Sequence, residues 1–359
     1  MIMKFMYHSL MIACLLLGSS CSESNEYNMN DEPMNIVENS DDQKGNSENS
    51  DYNSAYTIET TVGEVINDPA FGDFGYLLFP VDRNVSPTMT LAQVSTSNVY
   101  VWYSNIQPQK TVEILNYLRE ESLSGRQIFY RFYSDSEIAD NPSKADTGLF
   151  FFRGEQGKPF AVTNAGGGFM YVGAMHDSFP HSMEIKNAGY NAFALIYRPE
   201  DPYSDLARAI EFIHDNTTEL NVKSDDYSLW GGSAGARMAA VLGNSSYLQQ
   251  LTARTDIPQA VAVIMQYTGY TDASRYDAPT YVCVGSNDGI ASWRTMQSRL
   301  QRLSEMGIPT EFHVYEGLSH GFGIGTGTVA EGWVEDAIKF WQNNMKSEAN
   351  SGITPVYAD

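Results

Sequence analysis

A serine set among glycines is the sharpest chemical feature of this chain. Gly231-Gly232-Ser233-Ala234-Gly235 falls between an apolar run ending at Trp230 and a helical pattern starting near Ala234. Residues without a Cβ let the backbone turn tightly from strand to helix, and such a turn lifts the Ser233 hydroxyl to the carboxyl edge of a sheet. A hydroxyl is a poor nucleophile until a base takes its proton, and that base needs an acid to hold its tautomer. Asp288, in Val284-Gly285-Ser286-Asn287-Asp288-Gly289, and His320, in Gly317-Leu318-Ser319-His320-Gly321, each follow an apolar run expected as a strand. Singly, Asp288 reads equally well as an Asx turn before Gly289, and His320 as an ordinary loop histidine. Their joint placement, in the chain order Ser233, Asp288, His320, favours a nucleophile, acid and base. Among rivals, His313 lies within an expected strand and His214 on an expected helix, while Asp272 is the best substitute acid.

Acyl transfer also needs donors for an oxyanion. Asn164-Ala165-Gly166-Gly167-Gly168-Phe169 follows a strand upstream of the serine, and its bare backbone, with the Ala234 amide, is suited to that task. His176, Asp177 and His181 could be imagined as metal ligands. Pro180 and a helix start at Ser178 point instead to a loop over the pocket, with His176 and Asp177 facing substrate, so neither metal nor cofactor is expected. Trp293, Trp333 and Tyr267, near the catalytic segments, are candidates to stack on sugar or aryl rings, Trp293 foremost. Gly321, Gly323, Gly325 and Gly327 alternate in a way that does not match a dinucleotide fingerprint.

These residues need a sheet to position them. After residue 158 the pattern alternates: strands over 160–163, 192–197, 227–230, 260–265, 280–284 and 311–315, with helices from Ser178, through Leu206 to Ile213, over 234–242, 290–306 and 329–343. Thr328 and Glu331 have the spacing of a capping box for the closing helix. Such alternation implies an α/β fold, a mostly parallel sheet covered by helices on both faces. Residues 55–157 read as an α+β extension packed on that core. It has strands at 76–79, 99–103, 127–133 and 149–153, and a helix through Val112, Ile114, Leu115 and Leu118 ending near Gly125.

The 359 residues hold 22 Lys+Arg against 44 Asp+Glu, a net charge of −22, with 42% hydrophobic content. That suffices for a buried core and disfavours nucleic acid, whose phosphates such a surface repels. Lys4, a short apolar run from Leu10 to Leu17, and small residues before Cys21 have the layout of an export signal over 1–21, with Cys21 as the lipidated residue of a lipoprotein. Residues 22–54 are expected to be a disordered acidic tether and 348–359 a tail, leaving 158–347 as the catalytic core. The membrane would be met only through the lipid anchor, and the protein would reside in the outer membrane, facing the periplasm or the cell surface.

Ala165-Gly166-Gly167-Gly168-Phe169, the Ser233 turn, Asp288 and Ser319-His320-Gly321-Phe322 together resemble the α/β-hydrolase fold. Within it the chain is similar to bacterial esterases with a glycine-rich oxyanion loop, and to secreted carbohydrate esterases that remove acetyl or feruloyl groups from plant polysaccharides. The resemblance covers about residues 158–345, and Ala165 stands where the loop usually begins with histidine. It implies Gly167 and Gly168 as oxyanion donors beside Ala234, and an acylated carbohydrate or other small ester as substrate. A serine peptidase of the oligopeptidase type, using the same triad, and a non-catalytic glycan-binding lipoprotein are the alternatives.

Overall fold

The structure, a computed structural model, describes residues 55–346. The expected signal with Cys21, the tether and the tail lie outside the described residues. Eight strands, β1 (Phe129–Tyr130), β2 (Gly148–Phe152), β3 (Pro159–Asn164), β4 (Asn191–Ile196), β5 (Lys223–Gly232), β6 (Ala262–Gln266), β7 (Thr280–Gly285) and β8 (Thr310–Tyr315), form one sheet in the order β1-β2-β4-β3-β5-β6-β7-β8. β1 and β2, and β2 and β4, pair antiparallel, and the remaining pairs are parallel.

The central strands β2, β3, β4, β6 and β7 are buried at every residue, as apolar strands covered on both faces must be. Cys283 lies within β7, fully buried. β8 closes one edge and stays half-exposed, with Glu311 and His313 on it joined at 2.7 Å. The helix Pro202–Asp215 begins with proline in its first turn and buries Leu206, Ala209, Ile210 and Ile213, the i, i+3, i+4, i+7 stripe of an amphipathic helix. It packs against the helix Ala234–Leu242, which lies on β5 and β6, while Ser178–Asn187 covers β4 and β3 and touches the closing helix Trp333–Asn344.

Register decides where the loops emerge. Asn164 pairs with Gly231, Gly232 with Gln266, Gln266 with Cys283 and Gly285 with Tyr315. The carboxyl ends of β3, β5, β6, β7 and β8 therefore share one rim, where open parallel sheets place their ligand sites.

Several elements differ from the sequence reading. The run 76–79 ends a 3-10 helix, Pro69–Leu78, started by Pro69 and by Asp68, whose carboxylate accepts the Ala70 amide at 2.8 Å. The run 99–103 is no strand: Asn98–Tyr100 is a single 3-10 turn, capped by Ser97, and Trp102 has φ +76°. Tertiary contacts bury Leu77, Leu78 and Phe79 of the first run and Val99 and Tyr100 of the second, and periodicity alone cannot tell that from a strand. Thr328 and Glu331 cap a turn over Gly327 and Ala330 instead of the closing helix, which starts three to four residues later behind Gly332 at φ +91°. Finally, β2 bonds to β4 along its whole length, so the sheet begins inside the segment expected as an extension.

Candidate active site

Ser233 sits between the last residue of β5 and the first of the helix Ala234–Leu242, at φ +52° and ψ −113°. A serine pays strain in that region, and the surroundings must hold it there. They do: the Ser233 amide donates to Gln266 O at 2.9 Å, and the turn is so tight that a Cβ on Gly231 would come within 2.2 Å of the Gly235 carbonyl carbon. Ser233 is left half-buried at the rim.

His320 bridges the other two groups. Its Nε2 lies 3.1 Å from Ser233 Oγ and its Nδ1 2.8 Å from Asp288 Oδ2. The other oxygen of Asp288 accepts the amides of Ile290 at 2.8 Å and Ala291 at 2.7 Å, and the Asp288 carboxylate is sealed from solvent. Both lone-pair faces of the acid are thus engaged, and the imidazole is oriented with Nδ1–H toward the acid and Nε2 free to accept from the serine. The three sequence-predicted residues meet in one hydrogen-bonded chain across 87 residues of sequence.

The glycine loop follows β3 and folds over the serine. Gly166 gives its amide to Asp177 Oδ2 at 2.7 Å, and Gly167 and Gly168 adopt φ +131° and +64°. Gly167, Ser233 and His320 line one small cavity with Trp102, Tyr103, Tyr267 and Gly321. It holds about 10 Å3, room for a group about the size of one water. Ala234 is the first residue of its helix, where amides have no intrahelical acceptor.

The expected substrate-facing residues are placed otherwise. Asp177 is fully buried beneath the loop, holding Gly166 and accepting the Tyr103 hydroxyl at 2.9 Å, so it braces backbone instead of meeting substrate. Its second oxygen lies 3.3 Å from His181 Nδ1. Burial pushes the Asp177 carboxyl up and the His181 imidazole down. His176 packs edge-on to Tyr100, ring centroids 4.1 Å apart, and borders a different cavity with Met175, Pro180 and Ile324; burial drives its imidazole down to about 3. Trp293 is absent from the residues lining the serine cavity: it opens the helix Trp293–Glu305 under the Arg294 guanidinium. Trp333 is core, packed on Trp230 and Tyr281. Tyr267 does reach the site, its ring 4.6 Å from that of His320. Among the described residues no three His, Cys, Asp or Glu side chains converge as a metal site.

Sequence reasoning missed Trp102 and Tyr103. Their only signal was an aromatic run that reads as a strand, and nothing local links it to a loop 74 residues away.

Residues 153–296 match the BD-FAE family. No curated protein matches the chain in sequence. Among solved structures, the chain is similar to an acetyl ester-xyloside bifunctional hydrolase from Caldicellulosiruptor lactoaceticus, with TM-score 0.52 and 18% identity over 60% of this chain and 95% of that one. It is also similar to Thermogutta terrifontis esterase 2 phosphorylated by paraoxon, with TM-score 0.50 and 18% identity over 61% and 96% of the two chains. The chain has the α/β-hydrolase fold.

Proposed function

We propose that this protein of α/β-hydrolase fold is a serine carboxylesterase that removes short acyl groups, acetyl foremost, from a carbohydrate. The observation that supports it best is the continuous chain from Asp288 Oδ2 through His320 to Ser233 Oγ, with contacts of 2.8 and 3.1 Å. In this reading His320 Nε2 takes the Ser233 proton as Oγ attacks the ester carbonyl, and Asp288 stabilises the imidazolium. The amides of Gly167, Gly168 and Ala234 receive the oxyanion, the Gly166 amide being committed to Asp177. His320 then protonates the departing alcohol, and water activated by the same imidazole releases the acid from the acyl-serine. The cavity of about 10 Å3 beside Ser233 favours acetyl over feruloyl on the acyl side. The acetyl ester and xyloside named for the Caldicellulosiruptor lactoaceticus relative support the carbohydrate. Export and anchoring through Cys21 belong to the same reading, on the strength of the N-terminal sequence.

A fluorophosphonate probe followed by peptide mass spectrometry tests it. Label is expected on Ser233, and Ser233→Ala is expected to lower kcat on 4-nitrophenyl acetate by about 10⁴-fold or more. Label elsewhere, or undiminished turnover by the variant, rejects the reading.

A further inference from the structure

Trp102 is 42% exposed, yet it occupies φ +76°, a conformation that costs a bulky residue strain. Isolated exposed aromatics are common and need no explanation, but a strained one beside a nucleophile does. The backbone around it is clamped from several sides. Ser104 donates its amide to Gly321 O at 2.9 Å, Tyr171 donates its hydroxyl to Val101 O at 2.5 Å, and Tyr103 donates to Asp177 at 2.9 Å. Gly321, next to His320, lies so close that a Cβ there would meet the Trp102 carbonyl oxygen at 2.0 Å. The indole stacks at 19° on the buried ring of Tyr171, centroids 6.0 Å apart, and Gly168 of the oxyanion loop lies against it. Part of the indole therefore remains open to solvent at the mouth of the Ser233 cavity, held rigidly.

The same stretch of chain borders a second hollow. Asp82, Arg83, Asn84, Ser97, Asn98 and Val99 are among the residues lining an open cleft of about 430 Å3, within the usual size of small-molecule sites. Arg83 is fixed there by donating to Asn98 O at 2.6 Å, and its guanidinium lies 5.3 Å from the centre of the Tyr171 ring that supports Trp102. Val99 and Trp102 are three residues apart, so cleft and serine cavity come within about 11 Å of each other along the chain. An aromatic platform leading to carboxylate, guanidinium and amide groups suits a ligand with apolar ring faces and hydroxyl edges, which is a chain of pyranose rings.

We propose that Trp102 is the stacking platform for a sugar ring on the alcohol side of the ester, and that the cleft of Asp82, Arg83, Asn84 and Asn98 takes the glycan beyond it. This deepens the carbohydrate-esterase reading and rests on it for the substrate class.

Calorimetry with xylohexaose on the full-length Ser233→Ala protein tests the platform without catalysis. Adding Trp102→Ala is expected to weaken binding about tenfold, the size of one aromatic stacking contact, and Trp102→Phe to recover most of it. In the Ser233 protein, Trp102→Ala should raise KM for acetylated xylo-oligosaccharide about tenfold, and KM for 4-nitrophenyl acetate by a clearly smaller factor. No xylohexaose binding with Trp102 intact, equal affinity without it, or the same loss on both esters overturns the proposal. Sugar binding that depends on Trp102, in a protein that hydrolyses no ester, would leave the platform standing and sink the esterase reading instead.

Discussion

The Asp177 carboxylate accepts the Gly166 amide at 2.7 Å from beneath the glycine loop, and the same oxygen accepts the Tyr103 hydroxyl. One buried acid thus ties the loop beside the nucleophile to a segment from the N-terminal part of the chain. Asp177→Asn keeps the shape and removes the charge from those bonds. It is expected to lower kcat on 4-nitrophenyl acetate about 10- to 100-fold with little change in KM, because the loop amides are misaimed while the ground-state pocket persists. Steady-state kinetics checks this, and a KM rise at constant kcat would show that Asp177 acts on binding alone.

The cavity beside Ser233 is small, about 10 Å3, and in the proposed reading an acyl group longer than acetyl must push Tyr103 or Tyr267 aside. Acetyl esters are expected to be cleaved about tenfold or more faster than butyryl esters of the same alcohol, with feruloyl slowest, as kcat/KM for a matched series will show.

Local strain at the nucleophile predicts a stability gain. Ser233 has φ +52°, which glycine adopts freely. Relief of about 1–3 kcal/mol of strain outweighs the unfolded-state entropy of glycine, so Ser233→Gly should be more stable than wild type by about 1 kcal/mol. Ser233→Ala, which keeps the strain, should show no such gain. Urea unfolding of the two variants makes the comparison.

Acid sensitivity follows from His176. Burial lowers its folded value to about 3, against 6.5 for a free imidazole. The unfolded chain therefore binds a proton below about 6.5 that the native state refuses until about 3, so this contribution is complete above 6.5 and is lost as pH falls through that window. Melting temperature should drop between about pH 7 and 5, and His176→Phe should make the drop shallower without abolishing it, since burial also lowers His214, to about 4.

The sequence exposed the site's chemistry better than its walls. The Ser233 turn is a local signal of glycines at a strand-to-helix junction, and Asp288 and His320 are found by counting strands from it. Asp177, in contrast, lies a few residues from the glycine loop and yet points under it, because the Gly173–Asp177 turn reverses the chain. Trp293 follows Asp288 by five residues and still misses the cavity, since a helix start directs it elsewhere. Trp102 and Tyr103 are held beside the serine by contacts with Gly168, Tyr171, Asp177 and Gly321, and no local pattern encodes partners so distant in the chain.

The pairing of β2 with β4 and the bond from Ser104 to Gly321 bear on how this gene can be dissected. A fragment cut at residue 158 would strip the neighbour from a fully buried strand, leaving its edge amides and carbonyls open to self-association, and would free the base-bearing loop from its brace. A trimmed version meant for expression should therefore retain the first hundred described residues, which carry the strand that covers β4 and the segment that braces the His320 loop.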